Sequence, residues 1–286
     1  MTKTKKLREL LNRDGATIAP CAYDALTARM IELSGFELIG TTGYGMHGSI
    51  LGCPDNGLLA YNEMLSMCEN MTSAVKLPIM ADAEGGYGNA INTYRTVREF
   101  ERAGLAGLFI EDQKIPPNCP FLKETEVISV EEMCGKIRAA VDARRDPDFV
   151  IVARTDASFD EAVERAEAYR EAGADMIKIV PKTREELEQL PGKVRLPLHL
   201  GFTPGKEINK GLTAKHAEEM GYKIITFPVT ALFASTYAVM AALKELRETG
   251  TDDGMLEKMS TFDEYFEIVD AQKYRNMDAK YLSKLG

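Results

Sequence analysis

The sequence predicts an α/β chain closed into a (β/α)8 barrel, the TIM-barrel architecture, followed by a C-terminal helical tail. Three observations carry this reading. Short apolar runs rich in β-branched residues alternate with longer amphipathic stretches, the mark of successive βαβ units. Eight such runs occur, at 17–21, 37–41, 78–81, 107–110, 149–153, 176–179, 198–200 and 224–227. Gly35, Gly104, Gly173 and Gly221 each stand shortly before a run, where a glycine ends the preceding helix.

Taken in order, each intervening stretch reads as a crossover helix. In 160–172, Ala162, Val163, Ala166 and Tyr169 recur at helical spacing. Eight repeats favour closure over an open doubly wound sheet, and no GxGxxG follows the first run to support a dinucleotide-binding version of the latter. Residues 1–250 are read as the catalytic barrel and 251–286 as the extension, with the break near Gly250 and Gly254. In the extension, Phe262, Tyr265, Phe266, Val269, Tyr274 and Tyr281 form an aromatic load that needs cover. Either the chain's own barrel or a second subunit would supply it.

Composition narrows the function. The chain has 286 residues, 45% hydrophobic and 28% charged, with a net charge of −9. That balance argues against nucleic acid, which demands a basic face. The cluster Lys3, Lys5, Lys6 and Arg8 reads as the solvated face of a first helix rather than a targeting signal. No run approaches the roughly 18 apolar residues that cross a bilayer. Five cysteines, Cys21, Cys53, Cys68, Cys119 and Cys134, show no CxxC spacing, so reduced thiols and a cytoplasmic location are expected. His47, His199 and His216 show no zinc-ligand spacing.

Barrel enzymes place their chemistry at the C-terminal ends of the strands. The residues there are acidic: Asp55 after the second run, Asp82 and Glu84 after the third, Glu111 and Asp112 after the fourth. Carboxylates crowded together repel unless a cation sits among them, and oxygen ligands suit Mg²⁺, with Mn²⁺ as a second choice. Arg154 after the fifth run can clamp a substrate carboxylate or pair with Glu111 or Asp156. The loop Thr41-Thr42-Gly43-Tyr44-Gly45 offers backbone N–H groups to an anion.

These segments, with Ala22-Tyr23-Asp24-Ala25-Leu26, Glu111-Asp112-Gln113 and Ala153-Arg154-Thr155-Asp156-Ala157, resemble the isocitrate lyase and phosphoenolpyruvate mutase superfamily over nearly the whole chain. The resemblance implies a dimer or tetramer that exchanges its last helix between subunits. It implies that Thr42, Gly43 and Tyr44 hold a 2-oxo carboxylate and that Arg154 holds the substrate's functional group. Asp82 would be the most direct Mg²⁺ ligand, with Asp55, Glu84 and Glu111 acting through bound water.

One departure bears on the reaction. Where the superfamily's lyases read Lys-Arg-Cys-Gly-His, with a cysteine acting as acid, this chain reads Pro117-Asn118-Cys119-Pro120-Phe121. Cys119 remains without the cations that would lower its pKa. The phosphonate-handling branch has a lysine and an asparagine in this loop, and Lys114 and Asn118 are present out of step with it. The segment 113–125 is expected to be a stiff lid over the site. The seventh run, His199-Leu200-Gly201-Phe202-Thr203, departs from the lyase pattern too. The expected reaction is Mg²⁺-dependent C–C cleavage of a small 2-hydroxy di- or tricarboxylate to a pyruvate-type 2-oxo acid, with Cys119, Arg154, Glu111 and Asn118 as catalytic candidates. P–C bond mutase or hydrolase chemistry, or decarboxylation or hydrolysis of oxaloacetate, is the alternative.

Overall fold

Strands buried on both faces need near-continuous apolar sequence, and the eight runs supply it. The computed structural model describes residues 1–117, 119 and 125–282. The order of elements is α1 (Lys3–Asn12), β1 (Thr17–Ala22), α2 (Ala25–Leu33), β2 (Ile39–Thr41), α3 (Gly43–Leu51), α4 (Tyr61–Ala74), β3 (Ile79–Asp82), α5 (Ala90–Arg102) and β4 (Gly107–Glu111). It continues with α6 (Val130–Ala143), β5 (Val150–Thr155), α7 (Phe159–Glu171), β6 (Met176–Ile179), α8 (Arg184–Lys193), β7 (Leu198–Gly201), α9 (Ala214–Met220) and β8 (Tyr222–Phe227). All eight strands pair in parallel in chain order, and β8 returns to β1 through Thr17↔Ile224 to close the barrel.

Most strand boundaries shift by one or two residues from the sequence reading, and two of the shifts have visible local partners. β2 begins at Ile39 because Glu37 turns outward to Arg13, at 2.8 Å. β8 begins two residues earlier than its apolar run, because Lys223 points out to the carbonyls of Arg13 and Gly15. The four expected helix-ending glycines, Gly35, Gly104, Gly173 and Gly221, all have positive φ.

The core has two layers. Ala81, Ile110, Ile151, Ala153 and Ile177 face outward into the helices, while Ala19, Leu38, Met80, Val152, Met176 and Ile224 fill the barrel together with Leu7, Leu10 and Leu11 of α1. That filling leaves the C-terminal ends of the strands to polar residues. Register sets them in a row: Glu111 pairs with Arg154, Arg154 with Lys178, and Lys178 with His199.

Asp112, one residue beyond β4, does not join this row. Its Oδ2 accepts from Tyr169 at 2.7 Å and Arg165 at 3.1 Å, and its Oδ1 accepts from the Asp156 amide at 3.3 Å. It is fully buried and structural, a correction to its reading as a mouth acid.

The chain divides into two compact units, Met1–Thr230 and Ala231–Gly286. The second contains nearly all of α10 (Thr230–Thr249), a 3₁₀ turn over Asp253–Lys258, α11 (Phe262–Ile268) and α12 (Ala271–Tyr281). No helix among the described residues is long and apolar enough to cross a membrane.

Removing one partner of a buried ion pair strands the other, at a cost of about 3 kcal/mol or more. Arg165→Met is therefore expected to lower the unfolding free energy by that amount, seen as a lower denaturant midpoint at unchanged m-value, and a midpoint equal to that of the unaltered protein would show that Asp112 does not depend on Arg165.

Candidate active site

The ends of β2 to β5 build the site. Asp82 is the last residue of β3 and Glu111 the last of β4, so both stand on strands rather than in loops. Thr42, expected in a loop, caps α3: its Oγ1 accepts from the Gly45 amide at 3.2 Å. The Gly43 amide donates to Asp82 Oδ2 at 3.2 Å, and the Glu84 amide donates to Asp82 Oδ1 at 3.1 Å. Tyr44, next in the same turn, lies beside this corner. Thus the N-terminus of α3 meets the acids directly, where its dipole favours negative charge.

The turn after β3 is strained. Glu84 has φ of 50° and Tyr87 of 58°, conformations uncommon for residues with a Cβ. They deliver the Glu84 side chain inward, where its Oε1 is buried with no partner among the described residues.

Sequence reasoning missed His47. Its Nε2 accepts from the amides of Leu58 and Leu59, each at 3.2 Å, so its proton sits on Nδ1. That nitrogen faces the Gly43 carbonyl at 2.9 Å and Asp55 Oδ1 at 3.3 Å. His47, Asp55 and Glu84 bring one potential ligand atom each within 4.8 Å of one another. Both imidazole nitrogens are already engaged, so His47 orients Asp55 rather than offering a ligand. No sequence spacing announces this, because Asp55 arrives from a separate loop.

Arg154 forms the opposite wall. Its Nη1 lies 2.8 Å from Glu111 and its Nη2 2.9 Å from Asp156. Gln113 donates to Asp156 Oδ2 at 3.0 Å and reaches Glu111 Oε2 at 3.5 Å. Both expected pairings of Arg154 are therefore made at once.

This crowding shifts protonation. Burial raises Glu84 well above the usual carboxylate range, and the charges of Asp82, Glu111 and Asp55 add to it. Burial likewise pushes Glu111 up to about 8, against the pull of Arg154. Asp55 is raised by burial and by Asp82. Burial opposes the charge on Arg154, yet Asp156, Glu111 and Asp82 hold it above its ordinary value. Lys178, another residue missed from sequence, is pushed down to about 8 by burial and by Arg154.

The segment after β4 folds back over Asp55. Its neck is closed by the Gln113–Val127 bridge and by Lys114 on Glu126 at 2.7 Å. The Cys119 amide donates to the Asp55 carbonyl at 3.2 Å, and Cys119 is buried. Gly57 lies so close to Pro117 that a Cβ there would stand 2.8 Å from its ring. Asn118 and residues 120–124 lie outside the described residues.

A family model described as phosphoenolpyruvate phosphomutase matches residues 7–247. The chain is 40% identical to 2,3-dimethylmalate lyase of Eubacterium barkeri over 290 residues, covering 98% of this chain and 99% of that one. The chain belongs to the phosphoenolpyruvate mutase/isocitrate lyase superfamily. It is 41% identical to 2-methylisocitrate lyase of Aeropyrum pernix over 285 residues, 97% of this chain and 91% of the relative. The crystal structure of phosphonopyruvate hydrolase in complex with oxalate and Mg²⁺ matches with a TM-score of 0.88 and 31% identity, covering 99% of this chain and 100% of that one. Lyase and mutase activities characterise these superfamily relatives.

The acidic corner fits a divalent cation on its own geometry. A Cβ built on Gly43 would lie 2.9 Å from Glu84 Oε1 and 3.0 Å from Asp82 Oδ2, so two carboxylate oxygens bear on one small space that only glycine leaves open. Together with Asp55 they form a hard, oxygen-only donor set.

These shifts also set a pH dependence. A carboxyl whose pKa is higher in the folded than in the unfolded state contributes stability below its unfolded value, near 4.5, and loses it as pH rises through the folded value, about 8 for Glu111. The melting temperature of metal-free protein is expected to fall on this account between pH 6 and pH 9. Mg²⁺ should raise it more at pH 9 than at pH 6, because a cation favours the ionised acids. Thermal scans with and without Mg²⁺ measure this, and an equal increment at both pH values would remove the cation from this corner.

Proposed function

We propose that the protein is a Mg²⁺-dependent carbon–carbon lyase that splits a small 2-hydroxy di- or tricarboxylate into a pyruvate-type 2-oxo acid and a second carboxylic acid. The observation that carries this reading is the convergence of Asp55, Asp82 and the unpartnered Glu84 on the N-terminus of α3, facing Arg154. The 40% and 41% identities to two C–C lyases support it over P–C mutase, P–C hydrolase or oxaloacetate chemistry, which act on the same 2-oxo acid scaffold. Lys114, one residue of the phosphonate-type reading, is engaged with Glu126 at the surface.

Asp82, Glu84 and Asp55 hold the cation, with Glu111 behind them on Arg154; Mn²⁺ suits the same donors. The bound ion supplies Lewis acidity beside the oxygen on which charge develops. Thr42, Gly43 and Tyr44 line the anion end, where the positive end of α3 steadies the 2-oxo carboxylate. The Gly43 amide is already given to Asp82, whereas the Thr42 hydroxyl, whose oxygen accepts from the Gly45 amide, keeps its hydrogen to donate to such a carboxylate. Arg154 holds the departing half, and Cys119, buried against the Asp55 loop, returns a proton to its carbon. Asn118 is a further candidate contact in that segment. The small acid is the only partner the site itself needs. The functional assembly is a homodimer or homotetramer exchanging C-terminal helices, in support of which Phe262, Tyr274 and Tyr281 are exposed. A cytoplasmic setting accords with five cysteines of which none is in a disulfide.

Pyruvate release from 2,3-dimethylmalate and 2-methylisocitrate, followed with and without Mg²⁺, tests the reaction. Asp82→Ala is expected to abolish turnover while circular dichroism stays unchanged. Undiminished turnover of that variant at limiting Mg²⁺ would remove Asp82 from the metal site. Cys119→Ser should slow cleavage by roughly a hundredfold with oxalate affinity preserved. A variant as fast as the parent would take Cys119 out of the chemistry. Deleting 250–286 should reduce the assembly to monomers by light scattering, and retention of the parent's oligomeric state would refute helix exchange.

A further inference from the structure

On the floor of the site, two cationic groups each keep a hydrogen that meets no acceptor among the described residues. Arg154 gives Nη1 to Glu111 and Nη2 to Asp156, but its Nε is buried with no acceptor among the described residues. On the adjacent strand its register partner Lys178 is half-buried although the surrounding strand residues are buried. The Lys178 ammonium lies 4.4 Å from the centroid of the Phe109 ring, a contact that holds a cation in place without neutralising it. Among the described residues no carboxylate lies within ion-pair distance of it.

The next residue in the row supplies no anion either. Thr226 donates its hydroxyl to the Leu200 carbonyl at 3.3 Å, which leaves its oxygen to accept from His199 Nε2 at 2.8 Å. His199 Nδ1 is then a bare lone pair, buried and unpartnered, and burial keeps the ring neutral. Glu111 and Asp156 occupy the Arg154 Nη atoms, but on the side of Lys178, walled by an aromatic face and a neutral imidazole, the two cations still repel each other, a repulsion that an anion between them would relieve. The charges on Asp82 and Asp156 act on Lys178 only from a distance.

We propose that Lys178 is a substrate-binding residue which, with Arg154 Nε, holds the second carboxylate of a 2-hydroxy dicarboxylate. This rests on the lyase reading above and extends it: the metal end takes the 2-hydroxy acid group, and the β5–β6 wall selects substrates that carry a further carboxylate. A substrate with an alkyl group there would leave both donors buried and unmet, which costs more than the contact itself is worth.

The experiment is titration calorimetry at saturating Mg²⁺ on the unaltered enzyme, Lys178→Met and Lys178→Arg, each with oxalate and with malate. Oxalate reaches only the metal end, whereas malate adds the second carboxylate. Lys178→Met is expected to weaken malate by about tenfold or more, as the loss of a charge-assisted contact does, and to change oxalate by less than about threefold. Lys178→Arg should recover most of the malate affinity. Oxalate binding by each variant also shows that it is folded, and Lys178→Gln serves if the methionine variant is not. Equal losses for both ligands would make Lys178 a balancing charge for the acids and overturn the inference, as would unchanged malate affinity. If the unaltered enzyme binds neither probe with Mg²⁺, the lyase reading itself fails and takes this one with it.

Discussion

Several carboxylates are buried within a few ångströms at one end of this barrel, with Arg154 as the cation that touches them. Such a cluster is unfavourable in a low-dielectric interior, and most of the surrounding architecture answers that cost. The N-terminus of α3 is brought against Asp82, so a backbone amide and a helix dipole offset one charge. His47 lies beneath Asp55 and fixes the direction of its carboxylate. Arg154 bridges two further acids, and Gln113 joins them from the side. Glu84 is the one left over, with a buried oxygen that meets no partner among the described residues. The divalent ion proposed for this corner would answer the repulsion among the acids, turning it into metal affinity.

The scaffold behind the cluster is what makes such an arrangement sustainable. Strained backbone at Glu84 and Tyr87 persists only where neighbours over-determine it. Here Gly86 packs on Thr93, the Thr96 hydroxyl donates to the Gly86 carbonyl, and the Lys136 ammonium donates to the Gly85 carbonyl. On the far side Asp112 is locked by Arg165 and Tyr169 while its other oxygen takes the Asp156 amide. Because Asp156 in turn holds Arg154, a buried structural network outside the barrel sets the angle of a guanidinium inside it.

The barrel itself was legible because its signal is periodic. Eight apolar runs, the helices between them and the glycines that end four of those helices all follow from local chemistry. The acids were legible for a related reason: a strand end is a position, and position implies direction. What could not be read was any contact that depends on which loop descends over which. His47 lies far from a strand end and shows no partner at ligand spacing, so its link to Asp55 exists only in the folded chain. The direction of Asp112 was hidden because one residue past a strand end reverses the face, from the row of Glu111 to the network of Tyr169. Lys178 lies inside the run 176–179 with nothing local to single it out, and only the register with Arg154 gives it a neighbour.

That register explains why fold and metal leave the substrate open. On the proposed reading, the acids and the α3 terminus would hold the 2-oxo or 2-hydroxy acid end that reactions across the superfamily share. Discrimination falls to the other half of the mouth, where β5, β6 and β7 present Arg154, Lys178 and His199. A hydrophobic pocket rejects an unwanted methylene by only a small factor, whereas unmet buried donors reject a substrate lacking their acceptor by orders of magnitude. A wall that replaces apolar packing with Lys178 and an Arg154 Nε lacking acceptors among the described residues would therefore give up some stability of the empty enzyme in exchange for selectivity. On the proposed reading, the metal end governs what bond can break, and the β5–β7 wall governs whose bond it is.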